Sequence, residues 1–125
     1  MILLLDAHAL LWWLADSPEL SVDGRAAIAD PSNEVLVSAA TVWEISIKQA
    51  LGKLTAPSGL VDALEPAGFG ALPITLRDAE SAARLPLHHR DPFDRMLVAQ
   101  CARLDAVVVS RDSIFEDYGA PWLRA

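Results

Sequence analysis

Four acidic side chains occupy positions from which they can reach one common site. Asp6 directly follows the first apolar run of the chain, and Asp112 follows the last long one. Glu44 and Asp94 each come one residue after the first apolar residue of a helical pattern. Gathered carboxylates raise each other's pKa and need a counter-charge, which a hard divalent cation supplies. These residues therefore favour a Mg²⁺ or Mn²⁺ site, and such an ion supports hydrolysis of a phosphodiester.

The elements that must position these acids alternate along the whole chain. Uninterrupted apolar runs are typical of strands buried on both faces, and strands alternating with helices form parallel sheets covered by helices. Strands are predicted at 2–5, 34–38, 70–74 and 106–109, with a brief edge strand at 121–123. Helices are predicted at 7–15, 21–29, 41–54, 60–65, 75–85, 91–104 and 113–118. The sequence thus predicts one domain over 1–125, a three-layer α/β sandwich with a central, mostly parallel sheet of about five strands.

The predicted architecture places the four acids at one edge of the sheet. Sites in open α/β sheets form beyond the carboxyl ends of the strands, where the strand order reverses. If the sheet is doubly wound, Asp6 and Asp112 flank that point. Glu44 lies in the first turn of its predicted helix, at the margin of a stripe made of Trp43, Ile47, Ala50, Leu51 and Leu54. Asp94 likewise lies in the first turn of its predicted helix, at the margin of a stripe made of Phe93, Leu97, Cys101 and Leu104.

Each acid also has a purely structural interpretation. Thr41 and Glu44 have the spacing of a capping box, and Glu44 is four residues from Lys48, as in helical ion pairs. Asp91 is a predicted N-cap before Pro92, and an acid at position 94 favours the helix dipole. Asp6 suits the cap of the first helix. Asp112 is harder to explain in this way, since Ser113 and Glu116 already form a capping box there.

Other polar and aromatic residues leave alternatives open. Arginines beside the acids either hold phosphate oxygens or balance the acidic charge; these are Arg90, Arg95 and Arg111. His88 and His89 lie in the loop before the Asp94 helix, where they either contact substrate or, as the pattern favours, are simply solvated. The Ser110 hydroxyl is a candidate support for the site. The tryptophans are predicted as core or interface residues rather than as base-stacking platforms; these are Trp12, Trp13, Trp43 and Trp122.

Composition limits the classes of protein that fit. The formal net charge of −7 argues against tight nonspecific binding of nucleic acid through a basic face, but a metal centre supplies local positive charge. With 53% hydrophobic residues the chain can build a core, and no apolar run approaches a membrane span. The single cysteine, Cys101, excludes an internal disulfide and fits a cytoplasmic location, and its pattern predicts a small core residue.

Four segments together resemble a known family. They are LLLDAHALLW at the start, VSAATVWEISIKQALGKL in the middle, the stretch HHRDPFDRMLVAQ, and VVVSRD near the end. Over essentially the whole chain the sequence resembles PIN-domain proteins, and within them the VapC-type toxins of toxin–antitoxin pairs. The DPFDR…AQ stretch, at its distance from the WE helix, is the most specific of these motifs.

The resemblance implies a three-layer PIN-like sandwich and a Mg²⁺- or Mn²⁺-dependent endoribonuclease. Asp6, Glu44, Asp94 and Asp112 match the family's acids. Asp6 and Asp94 are then expected to bind the metal directly, while Glu44 and Asp112 complete the site directly or through water. Asp91 either shares in metal binding or serves only as an N-cap, and one or two ions fit this set. The resemblance also implies a homodimer and a small antitoxin, whose arginine or lysine enters the acidic pocket.

Three alternative protein classes fit the sequence less well. A receiver domain needs a lysine after its last strand, and no lysine follows Lys53. A haloacid-dehalogenase-like phosphatase needs Asp-x-Asp after the first strand, where this chain has Asp6-Ala7-His8. The remaining alternative is a catalytically inert PIN-like binding or scaffold module, against which the presence of all four acids argues.

Overall fold

The computed structural model describes all residues, 1–125, and contains the predicted central sheet. The strands are β1 (Ile2–Leu5), β2 (Glu34–Ser38), β3 (Gly70–Leu72), β4 (Val107–Ser110) and β5 (Trp122–Arg124). The helices are α1 (Ala7–Leu14), α2 (Val22–Ala29), α3 (Ala39–Ala50), α4 (Leu60–Leu64), α5 (Leu76–Ala83), α6 (Pro92–Leu104) and α7 (Ile114–Asp117). The prediction of an α/β fold with about five strands is confirmed.

The strand order is β3-β2-β1-β4-β5, and every neighbouring pair is parallel. The chain winds from β1 outward through β2 to β3, then returns to the other side of β1 for β4 and β5. The order therefore reverses between β1 and β4. Both strands end at the same edge, which is where open α/β sheets form their sites.

Alternation along the strands divides the core between the two faces of the sheet. Leu3 and Leu5 of β1 pack with residues of α1, α2 and α4. Leu4, between them, packs on the opposite face with Leu97 of α6 and Phe115 of α7. This is the period of two expected for strands buried on both faces, and it gives the three layers. The Cys101 thiol belongs to the second core, as predicted, and burial raises its pKa to about 12.

The structure corrects the prediction for α3. The helix begins at Ala39, and the hydroxyl of Ser38 caps it by accepting the N–H of Ala40. Thr41 therefore does not form a capping box with Glu44; its hydroxyl donates to the carbonyl of Leu5 at 3.1 Å. Ser38 is therefore both the last residue of β2 and the N-cap of α3. The hydrophobic periodicity of the sequence did not indicate that the helix begins directly after the strand.

The predicted apolar stripe on α3 is also wrong. Trp43 and Leu51 are 62% and 63% exposed, whereas Thr41, Glu44 and Ile45 are buried. The helix is thus rotated relative to the prediction, and Glu44 lies in its second turn on the buried face rather than at the margin. The Trp43 ring packs edge-on against Phe93 of α6, with ring centroids 5.5 Å apart.

None of the seven helices is both long and apolar enough to cross a lipid bilayer.

Candidate metal centre

All four acids line one cavity of about 160 Å³ at the edge where β1 and β4 end. Its wall is almost entirely polar and consists of Asp6, Ala7, His8, Glu44, Lys48, Asp91, Asp94, Arg111 and Asp112. The structure thus brings together residues that lie as far as 106 positions apart in the sequence, between Asp6 and Asp112.

Asp6 is placed by β1 and by the start of α1. Its N–H donates to the carbonyl of Val109, which ties the end of β1 to β4. Its carboxylate caps α1 by accepting the N–H of Ala9 at 2.9 Å, so the structural role considered for it is real. Burial raises the pKa of Asp6, and hydrogen bonds from Ser110 and Ala9 oppose the shift. One carboxylate therefore caps the helix and faces the cavity.

Glu44 enters from α3, which the bond between Thr41 and the end of β1 holds against the sheet edge. Its Oε2 accepts a hydrogen bond from Lys48 Nζ at 2.6 Å, as the spacing of the two residues predicts. The same bond raises the pKa of Lys48. Lysine is thus a local counter-charge for one acid of the site, and its ammonium lies on the cavity wall.

Asp94 is a second acid of the cavity with a raised pKa. Burial raises its pKa to about 7, and the charges of Asp91, Glu44 and Asp6 add to the shift. The Nε2 atom of His89 lies 3.0 Å from Asp94 Oδ2 and lowers that pKa in turn. Asp91 caps α6 by accepting the N–H groups of Phe93 and Asp94, as predicted, and also lines the cavity.

Asp112 reaches the cavity from the end of β4 but does not have the free side chain that the sequence indicated. Its Oδ1 accepts the N–H of Ile114 at 3.0 Å, and its own N–H donates to the hydroxyl of Ser110. Ser113 makes no capping bond with its side chain, so the predicted capping box with Glu116 is wrong. Asp112 takes over the turn instead, because an aspartate bonds readily to a backbone N–H two residues ahead.

The predicted arginines separate into distinct roles. Arg111 lies on the cavity wall, with its guanidinium 5.4 Å from the centre of the Trp12 ring and Nη2 3.3 Å from Nε2 of His8. Arg95 points away from the acids and bonds backbone carbonyls of the segment before α6. Arg90 is exposed and does not line the cavity.

Histidines are the site residues that sequence reasoning missed. The solvated-loop prediction holds for His88 but not for His89, which is only about a third exposed and contacts Asp94. Its position two residues before the Asp91 cap was the available signal, since that places it at the same end of α6. His8 on the cavity wall follows from its place in the first turn of α1, two residues after Asp6.

The donor set fits a hard divalent cation. Carboxylate oxygens are the ligands that Mg²⁺ and Mn²⁺ prefer, and crowded acids of raised pKa are stabilised by a cation between them. Lys48 forms its ion pair with Glu44, and neither Asp6 nor Asp94 forms an ion pair with a lysine or arginine. The cavity is open on one side to solvent and has room for an ion with its waters.

Comparison with known proteins gives the family and the fold. The profile of the PIN domain family matches residues 3–121. Among solved structures, VapBC2 from Rickettsia felis bound to a promoter DNA fragment superposes with a TM-score of 0.72 at 11% identity, covering 99% of this chain and 98% of that one. FitAcB from Neisseria gonorrhoeae superposes with a TM-score of 0.64 at 21% identity, covering 98% of this chain and 96% of that one. A toxin–antitoxin complex from Klebsiella pneumoniae superposes with a TM-score of 0.58 at 15% identity, covering 88% of this chain and 86% of that one. A search of curated protein sequences found no match.

Proposed function

We propose that this chain, which belongs to the PIN domain family, is a Mg²⁺- or Mn²⁺-dependent endoribonuclease and the VapC-type toxin of a toxin–antitoxin pair. One observation carries the proposal: Asp6, Glu44, Asp94 and Asp112 converge on one cavity at the switch point of the sheet. A scaffold that had lost its activity would have no reason to retain crowded carboxylates at a cost in stability.

Each side chain has a distinct part in the proposed reaction. Asp6 and Asp94 bind the ion, and Glu44 and Asp112 complete its surroundings directly or through water. A bound divalent ion makes a water molecule easier to deprotonate and offsets charge on the leaving oxygen. Arg111 donates to phosphate oxygens of the RNA from the cavity wall, where no carboxylate pairs with it.

The acidic cavity also suits the expected protein partner. Its acids outnumber its two firmly cationic side chains, Lys48 and Arg111. We infer that a basic side chain of a cognate antitoxin enters the cavity and blocks RNA, because opposite charges attract strongly where water is partly excluded. The chain is further expected to form a homodimer. In support, exposed Trp43 and Val61 line a mostly apolar groove of about 540 Å³.

The test is cleavage of a mixed RNA pool by the purified chain with Mg²⁺ or Mn²⁺, beside EDTA. Asp6→Asn is the informative variant, because asparagine still caps a helix while it removes the charge. Asp23→Asn, an exposed acid of α2 outside the cavity, is the control for the same change of charge. We expect cleavage that needs the metal, is lost in Asp6→Asn and is retained in Asp23→Asn. Cleavage that persists in EDTA or in Asp6→Asn would refute the proposal.

A further inference from the structure

His89 has one ring nitrogen next to Asp94, a proposed metal ligand that lines the acidic cavity. Its Nε2 atom is 3.0 Å from Asp94 Oδ2, and its side chain is 31% exposed. One donor atom each of His89, Asp94 and Asp112 can be chosen so that all three lie within 4.8 Å of one another. These three residues come from different elements: the segment before α6, α6 itself and the turn after β4.

The spacing of these atoms suits a metal ion. Nitrogen and oxygen ligands bind first-row divalent ions at about 2.1 Å, so adjacent ligands of an octahedron lie roughly 3.0 Å apart. The distance between His89 Nε2 and Asp94 Oδ2 is 3.0 Å. Opposite ligands lie roughly 4.2 Å apart by the same reasoning. The chosen donor atoms of His89, Asp94 and Asp112, within 4.8 Å of one another, are close to this range.

We propose that His89 supplies a nitrogen ligand to a divalent ion bound by Asp94, and that the site consequently favours Mn²⁺ and other transition metals over Mg²⁺. The inference rests on the proposed function, because it concerns the same centre. Mg²⁺ prefers oxygen ligands and holds its waters, whereas imidazole nitrogen binds transition metals well. A centre made only of carboxylates would discriminate less between Mg²⁺ and Mn²⁺.

The backbone of His89 is held in place, as a metal ligand requires. Its N–H donates to the hydroxyl oxygen of Tyr118 at 3.0 Å, and its carbonyl accepts from the same hydroxyl at 3.3 Å. Arg95 Nη1 donates to Tyr118 Oη at 3.1 Å and to the His89 carbonyl at 3.4 Å. The imidazole is therefore presented by a fixed backbone rather than by a freely moving loop.

Arg95 strengthens this arrangement from within the fold. Its guanidinium is buried, pairs with no carboxylate, and donates to the carbonyls of Ala82, Leu85 and Pro86 between 2.9 and 3.0 Å. These carbonyls lie at and just beyond the carboxyl end of α5, where the helix dipole favours a positive charge. Arg95 thus joins α6 to the segment that carries His89.

Two other histidines provide matched controls. His88 is exposed and packs edge-on against Tyr118 with ring centroids 5.0 Å apart, whereas the ring of His89 is the one that contacts Asp94. His8 lines the cavity, with its Nε2 beside Arg111. Replacement by glutamine retains an N–H that can donate to Asp94 but removes the imidazole nitrogen.

The experiment is pulsed EPR of Mn²⁺ bound to the full chain, which detects the coupling of a directly bound ¹⁴N nucleus. We expect this coupling in the unmodified chain, in His88→Gln and in His8→Gln, and its loss in His89→Gln. Labelling the unmodified chain with ¹⁵N-histidine should change the coupling to that of ¹⁵N, a readout that needs no variant. By calorimetry, His89→Gln should weaken Mn²⁺ binding about tenfold or more and Mg²⁺ binding much less.

The outcomes separate this inference from the proposed function. Mn²⁺ that binds to the unmodified chain without nitrogen coupling would overturn the role of His89 and leave the carboxylate centre intact. Coupling that survives in His89→Gln, or that disappears in His8→Gln instead, would also overturn it. Failure of the unmodified chain to bind any Mn²⁺ would overturn both the inference and the proposed metal-dependent nuclease.

Discussion

Asp78 of α5 and Asp94 of α6 are two largely buried carboxylates with opposite surroundings. Asp78 accepts hydrogen bonds from Arg103 at 2.6 and 3.0 Å and from the N–H of Thr75 at 3.0 Å, and the arginine lowers its pKa to about 2. Asp94 is buried among other acids, and its pKa is raised to about 7. Asp78 is thus a carboxylate that joins two helices through an arginine, whereas Asp94 is crowded by other acids and has no lysine or arginine partner.

The largest expected difference between these two acids is in metal-dependent cleavage. Asp94→Asn should lower the proposed RNA cleavage by more than about 100-fold, because it removes a metal ligand, and loss even of an outer partner costs about 10–100-fold. Without metal at pH 7 this variant should be at least as stable as the unmodified chain, since a crowded charge is gone. RNA cleavage and denaturant unfolding measure the two effects.

Asp78→Asn is expected to behave in the opposite way. It should destabilise the chain by about 2 kcal/mol, the value of hydrogen bonds to charged groups, and leave cleavage unchanged under conditions where the chain is folded. If Asp78→Asn abolished cleavage in folded protein while Asp94→Asn did not, the assignment of roles would be reversed.

Stability in the presence of metal should show the next largest difference. Mn²⁺ at 100 times its dissociation constant stabilises a folded protein by about 2.7 kcal/mol, which for a chain of this size raises Tm by roughly 10 °C. Thermal unfolding should show this gain in the unmodified chain and in Asp78→Asn but not in Asp94→Asn. An equal gain in all three proteins would place the ion elsewhere.

The dependence of stability on pH should have opposite signs for the two acids. The pKa of Asp94 is higher in the folded than in the unfolded chain, so its contribution lowers the metal-free unfolding free energy as pH rises from about 4 to about 7. The pKa of Asp78 is lower in the folded chain, so its stabilising contribution is present above about pH 4 and is lost as pH falls toward 2.

Urea titrations of metal-free protein across this range measure both contributions. Asp94→Asn should remove the decline between about pH 4 and 7, and Asp78→Asn should remove part of the decline below about pH 4. The first decline should also disappear when Mn²⁺ is present. A decline that persists unchanged in Asp94→Asn would mean that another group carries that titration.

The smallest expected effect concerns Asp91, which shares features of both acids. Its carboxylate caps α6, and its charge raises the pKa of Asp94. Asn is as good an N-cap as Asp, so Asp91→Asn should change the unfolding free energy by less than about 1 kcal/mol. Calorimetry should then show a loss of Mn²⁺ affinity below tenfold if Asp91 contributes only charge, and a larger loss if it is a ligand.

The sequence was sufficient to predict the parallel sheet, the edge at which Asp6 and Asp112 meet, and the membership of Glu44 and Asp94 in the same group. These predictions follow from the order of the strands and from the position of each acid at the end of a strand or the beginning of a helix. The orientation of α3 was not predictable in this way, because both Trp43 and Glu44 lie on faces that contact neighbours. The inward face makes contacts that are distant in sequence, such as the bond between Thr41 and Leu5 over 36 positions.

The remaining errors also arise from contacts that are distant in sequence or depend on local geometry. His89 reaches Asp94 because Tyr118, 29 residues away, holds its backbone. Arg95 follows Asp94 directly yet points to the segment before α6, since the carbonyls at the end of α5 attract it. At the start of α7, two side chains could accept a backbone N–H. The carboxylate of Asp112 accepts the N–H of Ile114, and the hydroxyl of Ser113 makes no capping bond.

The most direct test of the central claim is a crystal structure of the chain grown with Mn²⁺, with anomalous scattering used to locate the ion. We expect a peak within ligand distance, about 2.2 Å, of carboxylate oxygens of Asp6 and Asp94, and no ion at Asp78. A fully formed cavity without a peak, at a Mn²⁺ concentration that saturates binding in solution, or a peak only at acids outside the cavity, would contradict it.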